Sequence, residues 1–228
     1  MQVFGIVEVL QQFVERFILW HEPAERICRL VRLIDKHHFD AHFGKPLIVL
    51  APHFVGLDAG GIRLQIDSGG ASMFANQKSR ALTELMTRGR SRFKGTRMFV
   101  RNDGMRPAIR VLREGVPFYF LPDMDLGARD ALFVPFFGVI CATVPSMARL
   151  AQITGARVVP LVTRMVEDGY EATFHPAWED FPGADLEAAT RRMNSFIEQC
   201  VLPMPEQYLW THRRFKTRPP GEPPVYRR

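Results

Sequence analysis

The sequence has few cysteines and no long apolar run, and both absences limit what the chain can be. Only three cysteines occur in 228 residues, namely Cys28, Cys141 and Cys200. Their odd number and wide spacing fit neither a disulfide framework nor a zinc site, so we predict a reducing, cytoplasmic compartment and ordinary packing roles for the thiols. No stretch approaches the roughly 20 apolar residues that span a bilayer, and no cleavable signal pattern occurs. We therefore expect a chain that is neither a disulfide-stabilised secreted domain nor a transmembrane protein.

What the chain does contain is typical of one globular domain. Hydrophobic residues make up 46% and charged residues 24% of the sequence, and predicted strands alternate with predicted helices. This pattern predicts an α/β fold with a single central mixed, mostly parallel sheet flanked by helices. We expect one domain over residues 1–228, with N-terminal amphipathic helices at 1–44, a central core at 45–210 and a basic tail at 211–228.

Hydrophobic periodicity gives the bounds of the predicted elements. Strands are predicted at 47–50, 98–101, 116–121, 158–163 and 170–174, and helices at 24–36, 80–90, 107–114, 144–154 and 186–201. Residues 3–20 carry apolar side chains at helical spacing. Such a stripe either packs against the core or docks into a membrane interface.

A histidine follows an apolar strand, and an aspartate follows it five residues later. The aliphatic run Leu47–Leu50 is bounded by prolines, which predicts a buried strand that ends just before His53. We expect His53 to lie in the turn before a helix and Asp58 in the first turns of that helix, reaching back to Nδ1. Such a carboxylate fixes the tautomer and leaves Nε2 free to take a proton from a hydroxyl. The alternative is a strand-end histidine that caps local structure.

The net charge of +6 is unevenly distributed. Between Lys78 and Glu114 eleven basic residues face three acidic ones, and residues 211–228 carry six basic residues and one glutamate. Such blocks favour an anionic partner, which could be a nucleic acid, a phosphorylated small molecule, an acidic protein or an anionic membrane surface. Each block taken alone could equally be a solvated charged face.

Several segments together resemble a known family. After the His53 to Asp58 box, the matching segments are Arg88–Arg92, Arg101–Gly104, Leu121–Gly127, Phe133–Gly138, Ala142–Thr143 and Pro205–Pro219. The box alone is a weak signal, whereas the last segment is very specific. In this order they resemble the late acyltransferases of lipid A biosynthesis, the lauroyl and myristoyl transferases, within the glycerolipid acyltransferase superfamily with its His-x4-Asp/Glu box.

This resemblance implies acyl transfer from an acyl-carrier-protein thioester to a hydroxyl of a lipid A precursor. His53 would act as general base for direct attack on the thioester, and Asp58 would orient it. No serine or cysteine stands beside the pair in sequence, so we expect no acyl-enzyme intermediate. Arg90 and Arg92 are candidates for contacts to phosphate or oxyanion oxygens, with solvated surface positions as the alternative.

The strand exit and the tail supply the remaining candidate substrate-binding residues. Asp123 and Asp125 could position the sugar or brace basic groups, while a metal site formed by these two carboxylates is the alternative. Arg213 and Arg214 are suited to anionic lipid headgroups or to the acidic carrier protein. In the alternative interpretation, residues 210–215 close the fold and their basic groups pair locally.

The implied partners are acyl carrier protein, the lipid A precursor and an anionic membrane surface, with no metal, cofactor or nucleic acid. The implied location is the cytoplasmic face of the bacterial inner membrane, with this chain bound peripherally. Two alternatives stay open: acyl transfer to another acceptor, such as a lysophospholipid or an ornithine lipid, and a catalytically silent basic protein that binds anions or nucleic acid.

Overall fold

A seven-stranded sheet organises the part of the chain that the computed structural model describes, residues 16–75 and 79–226. The strands are β1 Val31–Ile34, β2 Leu47–Leu50, β3 Gly70–Phe74, β4 Thr96–Val100, β5 Phe118–Phe120, β6 Leu132–Phe136, β7 Val139–Thr143, β8 Arg157–Val166 and β9 Gly169–Phe174. The sheet order is β1-β9-β8-β2-β5-β3-β4, and β6 and β7 form a separate antiparallel hairpin.

Most neighbouring strands in this sheet run parallel. The parallel pairs are β1 with β9, β2 with β5, β2 with β8, β3 with β4 and β3 with β5, whereas β8 and β9 are antiparallel. The predicted mixed, mostly parallel sheet is therefore confirmed.

Helices connect the strands and cover both faces of the sheet. They are α1 Ala24–Leu30, α2 His37–Asp40, α3 Leu57–Ser68, α4 Arg80–Arg90, α5 Arg106–Arg113, α6 Ser146–Thr154 and α7 Leu186–Val201, and residues 16–21 are also helical. The predicted bounds of α4 and α7 are confirmed. Within residues 16–75 and 79–226, no helix combines the length and the apolar character needed to cross a membrane.

The helix predicted at 24–36 is wrong in its second half. The helix ends at Leu30, and Val31–Ile34 continues as an extended strand that pairs with β9. The helical spacing of apolar residues predicts a helix here, but β-branched residues such as Val31 and Ile34 favour strands. Their pairing with β9 therefore outweighs the helical spacing. Most of the apolar stripe at 3–20 lies outside the described residues.

The central strand β2 is buried on both faces. Ile48 and Leu50 belong to one hydrophobic cluster, whereas Leu47 and Val49 belong to another, as expected from the alternation of side chains along a strand. All four residues of β2 are inaccessible to solvent. Polar groups that meet a ligand must therefore lie beyond the ends of such strands.

Two glycines allow α3 to approach the sheet closely. A Cβ atom added at Gly60 would lie 2.0 Å from Oγ1 of Thr163, and one at Gly61 would lie 3.2 Å from Cε1 of Tyr119. The tight contact fixes the first turn of α3, and with it Asp58, beside the carboxyl end of β5.

Candidate active site

His53 and Asp123 meet at the carboxyl ends of two neighbouring parallel strands. In the β2–β5 pairing, Ile48 lies opposite Phe118 and Leu50 opposite Phe120. His53 and Asp123 each come three residues after the last of these pairs, so the same register brings them together. Nδ1 of His53 lies 2.6 Å from Oδ1 of Asp123, and the backbone N–H of His53 donates to Oδ2 over 2.9 Å.

The Asp123 carboxylate is completely buried and remains ionised. Burial alone would raise its pKa, but the charge interaction and hydrogen bonds with His53 outweigh burial and hold the pKa of Asp123 well below its usual range. An ionised carboxylate only accepts hydrogen bonds, so Nδ1 of His53 carries the proton that lies between the two groups. Nε2 of His53 is therefore the basic nitrogen.

Asp58 lies where the sequence predicts, but it does not contact His53 as expected. It occupies the first turn of α3, and His53 precedes that helix. Its carboxylate instead accepts hydrogen bonds from Nη2 of Arg90 and from Nε of Arg16, each over 2.8 Å. The expected contact is wrong because Asp123 already occupies Nδ1 of His53, whereas two guanidinium groups compensate the charge of Asp58.

These guanidinium groups also decide the ionisation of Asp58. Burial raises its pKa, but the positive charges of Arg90 and Arg16 and their hydrogen bonds lower it further, and the net shift is downward. Two positive charges and one negative charge leave an excess of positive charge at this position. The cluster therefore favours an anionic or strongly polarised ligand group.

The two arginines predicted to bind substrate lie in different surroundings. Arg90 lines a cavity together with Asp58. Arg92 instead donates to the carbonyl oxygens of Leu19 and Glu22, over 3.0 and 2.6 Å. Because both of its Nη groups donate to backbone carbonyl oxygens, Arg92 stabilises the contact between the segment before α1 and the end of α4.

A cavity of about 310 Å³ opens beside His53. Its polar lining includes His53, Asp58, Arg90 and Arg16, and most of its other lining residues are apolar. Apolar residues of the lining include Leu57, Ile62, Phe74, Met86, Met98 and Leu121. An imidazole in the lining of a mostly apolar cavity suits a substrate whose reacting group is attached to a hydrocarbon chain.

Asp125 and Arg214, both predicted to bind substrate, lie in the interior, where they form the local contacts named as the alternative. Asp125 accepts a hydrogen bond from the N–H of Gly127 over 2.9 Å and another from the N–H of Thr217. Arg214 is completely buried and donates to the carbonyl oxygen of Ala142 over 2.9 Å. Both side chains bind the C-terminal segment to the rest of the fold, because a buried charge needs such partners.

Arg213 differs from its neighbour because it is exposed. Its guanidinium carbon lies 5.9 Å from the centre of the Tyr226 ring, and its backbone has a φ of 52°. The left-handed backbone conformation at Arg213 directs its side chain to solvent and the side chain of Arg214 to the interior. Arg213 alone of the predicted pair faces solvent.

Sequence reasoning missed two residues of the candidate site, Arg16 and Tyr208, and did not predict the contact of Asp123 with His53. A signal for Asp123 exists, since it follows its strand by the same three residues as His53 follows β2. No sequence signal marks Arg16, because its partner Asp58 lies 42 residues away. Among the described residues, no group of three or more His, Cys, Asp or Glu side chains is arranged to hold a metal ion.

The sequence matches a family described as bacterial lipid A biosynthesis acyltransferase over residues 5–217. It is 35% identical over 217 residues to the lipid A biosynthesis lauroyltransferase of Escherichia coli, covering 93% of this chain and 70% of that protein. It is 38% identical to a lipid A biosynthesis acyltransferase of Haemophilus influenzae, covering 78% and 56% of the two chains. It is 40% identical to the Escherichia coli lipid A biosynthesis myristoyltransferase, covering 69% and 49%.

A solved structure has the same fold. The crystal structure of the 1-acyl-sn-glycerophosphate acyltransferase PlsC from Thermotoga maritima superposes with a TM-score of 0.51, covering 90% of this chain and 99% of that chain. At 13% identity this likeness concerns the fold only. The matched residues and the relatives together show that the chain belongs to the bacterial lipid A biosynthesis acyltransferase family, a family of transferases.

Proposed function

We propose that this chain transfers a fatty acyl group from an acyl-carrier-protein thioester to a hydroxyl of a lipid A precursor. The observation that carries the proposal is the hydrogen bond between His53 and Asp123, together with the position of His53 in the lining of a mostly apolar cavity. Family membership supplies the reaction class, and the pair supplies a base for the hydroxyl. The chain spans between about half and seven tenths of the length of these relatives, and we extend the activity to it on the strength of the site.

In this mechanism Nε2 of His53 removes the proton of the acceptor hydroxyl. The oxygen attacks the thioester carbonyl carbon and forms a tetrahedral intermediate with a negative oxygen. Collapse of the intermediate breaks the carbon–sulfur bond, and the imidazolium returns the proton to the departing sulfur. Asp123 stabilises the imidazolium while it carries that proton, and no covalent enzyme intermediate forms.

Arg90 is our candidate for stabilising the negative oxygen or binding a phosphate of the acceptor. It is held by Asp58, whose second oxygen is held by Arg16. We therefore reassign Asp58 from orienting His53 to positioning these arginines. A guanidinium fixed in advance stabilises developing charge without reorganising during the reaction.

We also propose that the chain works at the cytoplasmic face of the bacterial inner membrane, where both substrates would be accessible. Exposed basic side chains such as Arg213 would meet anionic lipid or the acidic carrier protein. Nucleic acid is not a partner in this proposal, since several arginines of the basic block at 78–114 already pair within the protein, as Arg90 does with Asp58 and Arg97 with Glu114.

The test is a transfer assay with acyl-carrier-protein thioester and tetra-acylated lipid A precursor, on wild type and His53→Ala, with exposed His37→Gln as the matched control. We expect acylated product from wild type and the control and near-complete loss with His53→Ala. Equal product from His53→Ala would refute the mechanism. Transfer to a lysophospholipid or an ornithine lipid, with none to the lipid A precursor, would refute the proposed acceptor.

A further inference from the structure

The C-terminal segment at 207–209 is paired directly to the backbone that carries His53. The N–H of Leu209 donates to the carbonyl oxygen of His53 over 2.9 Å, and the N–H of Val55 donates to the carbonyl oxygen of Gln207 over 2.8 Å. Between them Tyr208 is completely buried and forms a β-bridge with Phe54. This pairing directs the Tyr208 side chain beneath the catalytic histidine.

The hydroxyl of Tyr208 connects Asp123 with a second histidine. It donates to Oδ2 of Asp123 over 2.9 Å, and it lies 3.4 Å from Nε2 of His212. The rings of His53 and His212 have centroids 5.3 Å apart. Oδ1 of Asp123 thus contacts the imidazole of His53, and Oδ2 contacts the hydroxyl of Tyr208. His212 lies on the far side of that hydroxyl.

The ionisation states decide which group donates and which accepts in each hydrogen bond of this network. Because Asp123 only accepts, the Tyr208 proton points to Asp123, and the free lone pairs of its oxygen face His212. Nε2 of His212 then carries a proton and donates to Tyr208. Its Nδ1 is then unprotonated, and among the described residues this buried atom has no hydrogen-bond partner.

Burial keeps His212 neutral, because it lowers the pKa of this imidazole to about 4. The charged and titratable groups acting on it are Asp123 and Asp125 from the segment after β5, His53 from the segment after β2, and Arg214 from its own segment. The two aspartates raise its pKa, whereas His53 and Arg214 lower it together with burial. At neutral pH, His212 is therefore a hydrogen-bond donor without a charge.

We propose that Tyr208 and His212 are positioning residues for the general base, which hold Asp123 so that His53 keeps its proton on Nδ1. The inference rests on the proposed function, in which Nε2 of His53 takes the hydroxyl proton. A tyrosine placed here for packing alone would not need its hydroxyl on the carboxylate. The specific C-terminal motif thereby contributes to catalysis and does not only close the fold.

The test uses Tyr208→Phe and the pair His212→Phe and His212→Gln in the full chain, because glutamine can restore an N–H donor near Nε2. Matched controls are Tyr226→Phe, which removes a hydroxyl from the same C-terminal segment, and His37→Gln, which changes an exposed histidine. The measurements are kcat, KM, the pH profile of kcat/KM, thermal unfolding, and the ¹⁵N shifts of the His53 ring, which report its tautomer without any substrate.

We expect Tyr208→Phe to lower kcat about tenfold to a hundredfold, the effect of losing one hydrogen bond to a charged group, with KM nearly unchanged. Without the hydroxyl, Asp123 is held less firmly against Nδ1 of His53 and stabilises the imidazolium less, so the acid limb of the profile moves to lower pH. The ¹⁵N spectrum should show a mixture of tautomers where wild type shows Nδ1–H alone. His212→Phe should have the same effects in weaker form, and His212→Gln should restore most of the loss.

An unchanged pH profile and an unchanged His53 tautomer in Tyr208→Phe would overturn the proposal, even if kcat fell through loss of folded protein. If Tyr208→Phe does not fold, the variants His212→Phe and His212→Gln test the proposal instead. Equal ¹⁵N spectra and equal rates for these two variants would overturn the proposal. If wild type transfers no acyl group, the proposed function fails, while the ¹⁵N spectra still decide whether Tyr208 and His212 set the tautomer.

Discussion

At the scale of single residues, two carboxylates in one site, Asp123 completely buried and Asp58 partly buried, have different partners and therefore different tasks. Asp123 is bonded to the imidazole of His53, whereas Asp58 is bonded to the guanidinium groups of Arg90 and Arg16. In the proposed mechanism Asp123 sets the protonation state of the base His53, and Asp58 holds two positively charged groups beside the cavity. The sequence spacing favours Asp58 as the partner of His53, although the strand register pairs His53 with Asp123.

This division predicts different kinetics for two isosteric substitutions. Asp123→Asn should lower kcat at least about a hundredfold with little change in KM, because general base catalysis loses its orienting charge. Asp58→Asn should raise KM as well as lower kcat, because it releases Arg90. Steady-state kinetics on both variants checks the prediction, and equal effects on KM would contradict it.

The Asp58 cluster also predicts a pH dependence of stability. Its pKa is lowered in the folded protein, so the stabilisation is complete above the unfolded carboxyl pKa of about 3.9 and is lost as the pH falls below it. At pH 7 we expect Asp58→Asn to lower the free energy of unfolding by about 1–3 kcal/mol, and the difference from wild type should shrink below pH 4. Thermal unfolding against pH measures this, with exposed Asp130→Asn as control, and a constant difference down to pH 3 would contradict it.

How far the site follows from sequence depends on the range of its contacts. His53 before a helix and Asp58 inside it are local features, and the apolar strand and the following glycines are enough to predict them. The contact of His53 with Asp123 requires knowing that β2 and β5 are neighbours in the sheet, although 70 residues separate the two side chains. A parallel neighbour has no local turn to reveal it, so sequence periodicity cannot identify the pair.

At the scale of elements, α4 and the helical segment at 16–21 act as one unit. A Cβ atom added at Gly89 would lie 2.3 Å from Cδ2 of Trp20, and Arg92 fixes the backbone at Leu19. The same segment supplies Arg16 to Asp58. Periodicity predicts α4 correctly because its signal is local, whereas its contact with residues 16–21 is tertiary and leaves no pattern.

This contact predicts that Gly89→Ala reaches the active site through Trp20. The added methyl overpacks the contact and should cost about 1–3 kcal/mol of unfolding free energy, and displacement of Trp20 should move Arg16 and lower kcat/KM. The check is a double-mutant cycle with Trp20→Ala, in which the combined variant should lose less than the sum of the two single losses. Strictly additive losses would mean that the methyl does not act through Trp20.

At the scale of the whole molecule, the uneven charge of the sequence is only partly available to partners. Arg90 and Arg92 of the basic block are bonded within the protein, and Arg214 of the tail is completely buried. The C-terminal segment that composition describes as a basic tail is an integral part of the fold. Removing residues 211–228 would therefore unfold the site as well as remove charge, and point substitutions are the better test of an electrostatic anchor.

Among the described residues of this segment, Arg213 and Lys216 are the exposed basic ones, and Nζ of Lys216 makes one long hydrogen bond, to the carbonyl oxygen of Asp125 over 3.4 Å. We expect the double change Arg213→Ala and Lys216→Ala to weaken binding to anionic vesicles about tenfold at low salt, since each basic group near such a surface favours binding. The salt dependence of binding should become shallower, while thermal unfolding stays close to wild type. Arg191→Ala, an exposed arginine on α7 paired with Glu187, is the control and should bind as wild type. Unchanged affinity and salt dependence in the double variant would mean that membrane attraction comes from another part of the surface.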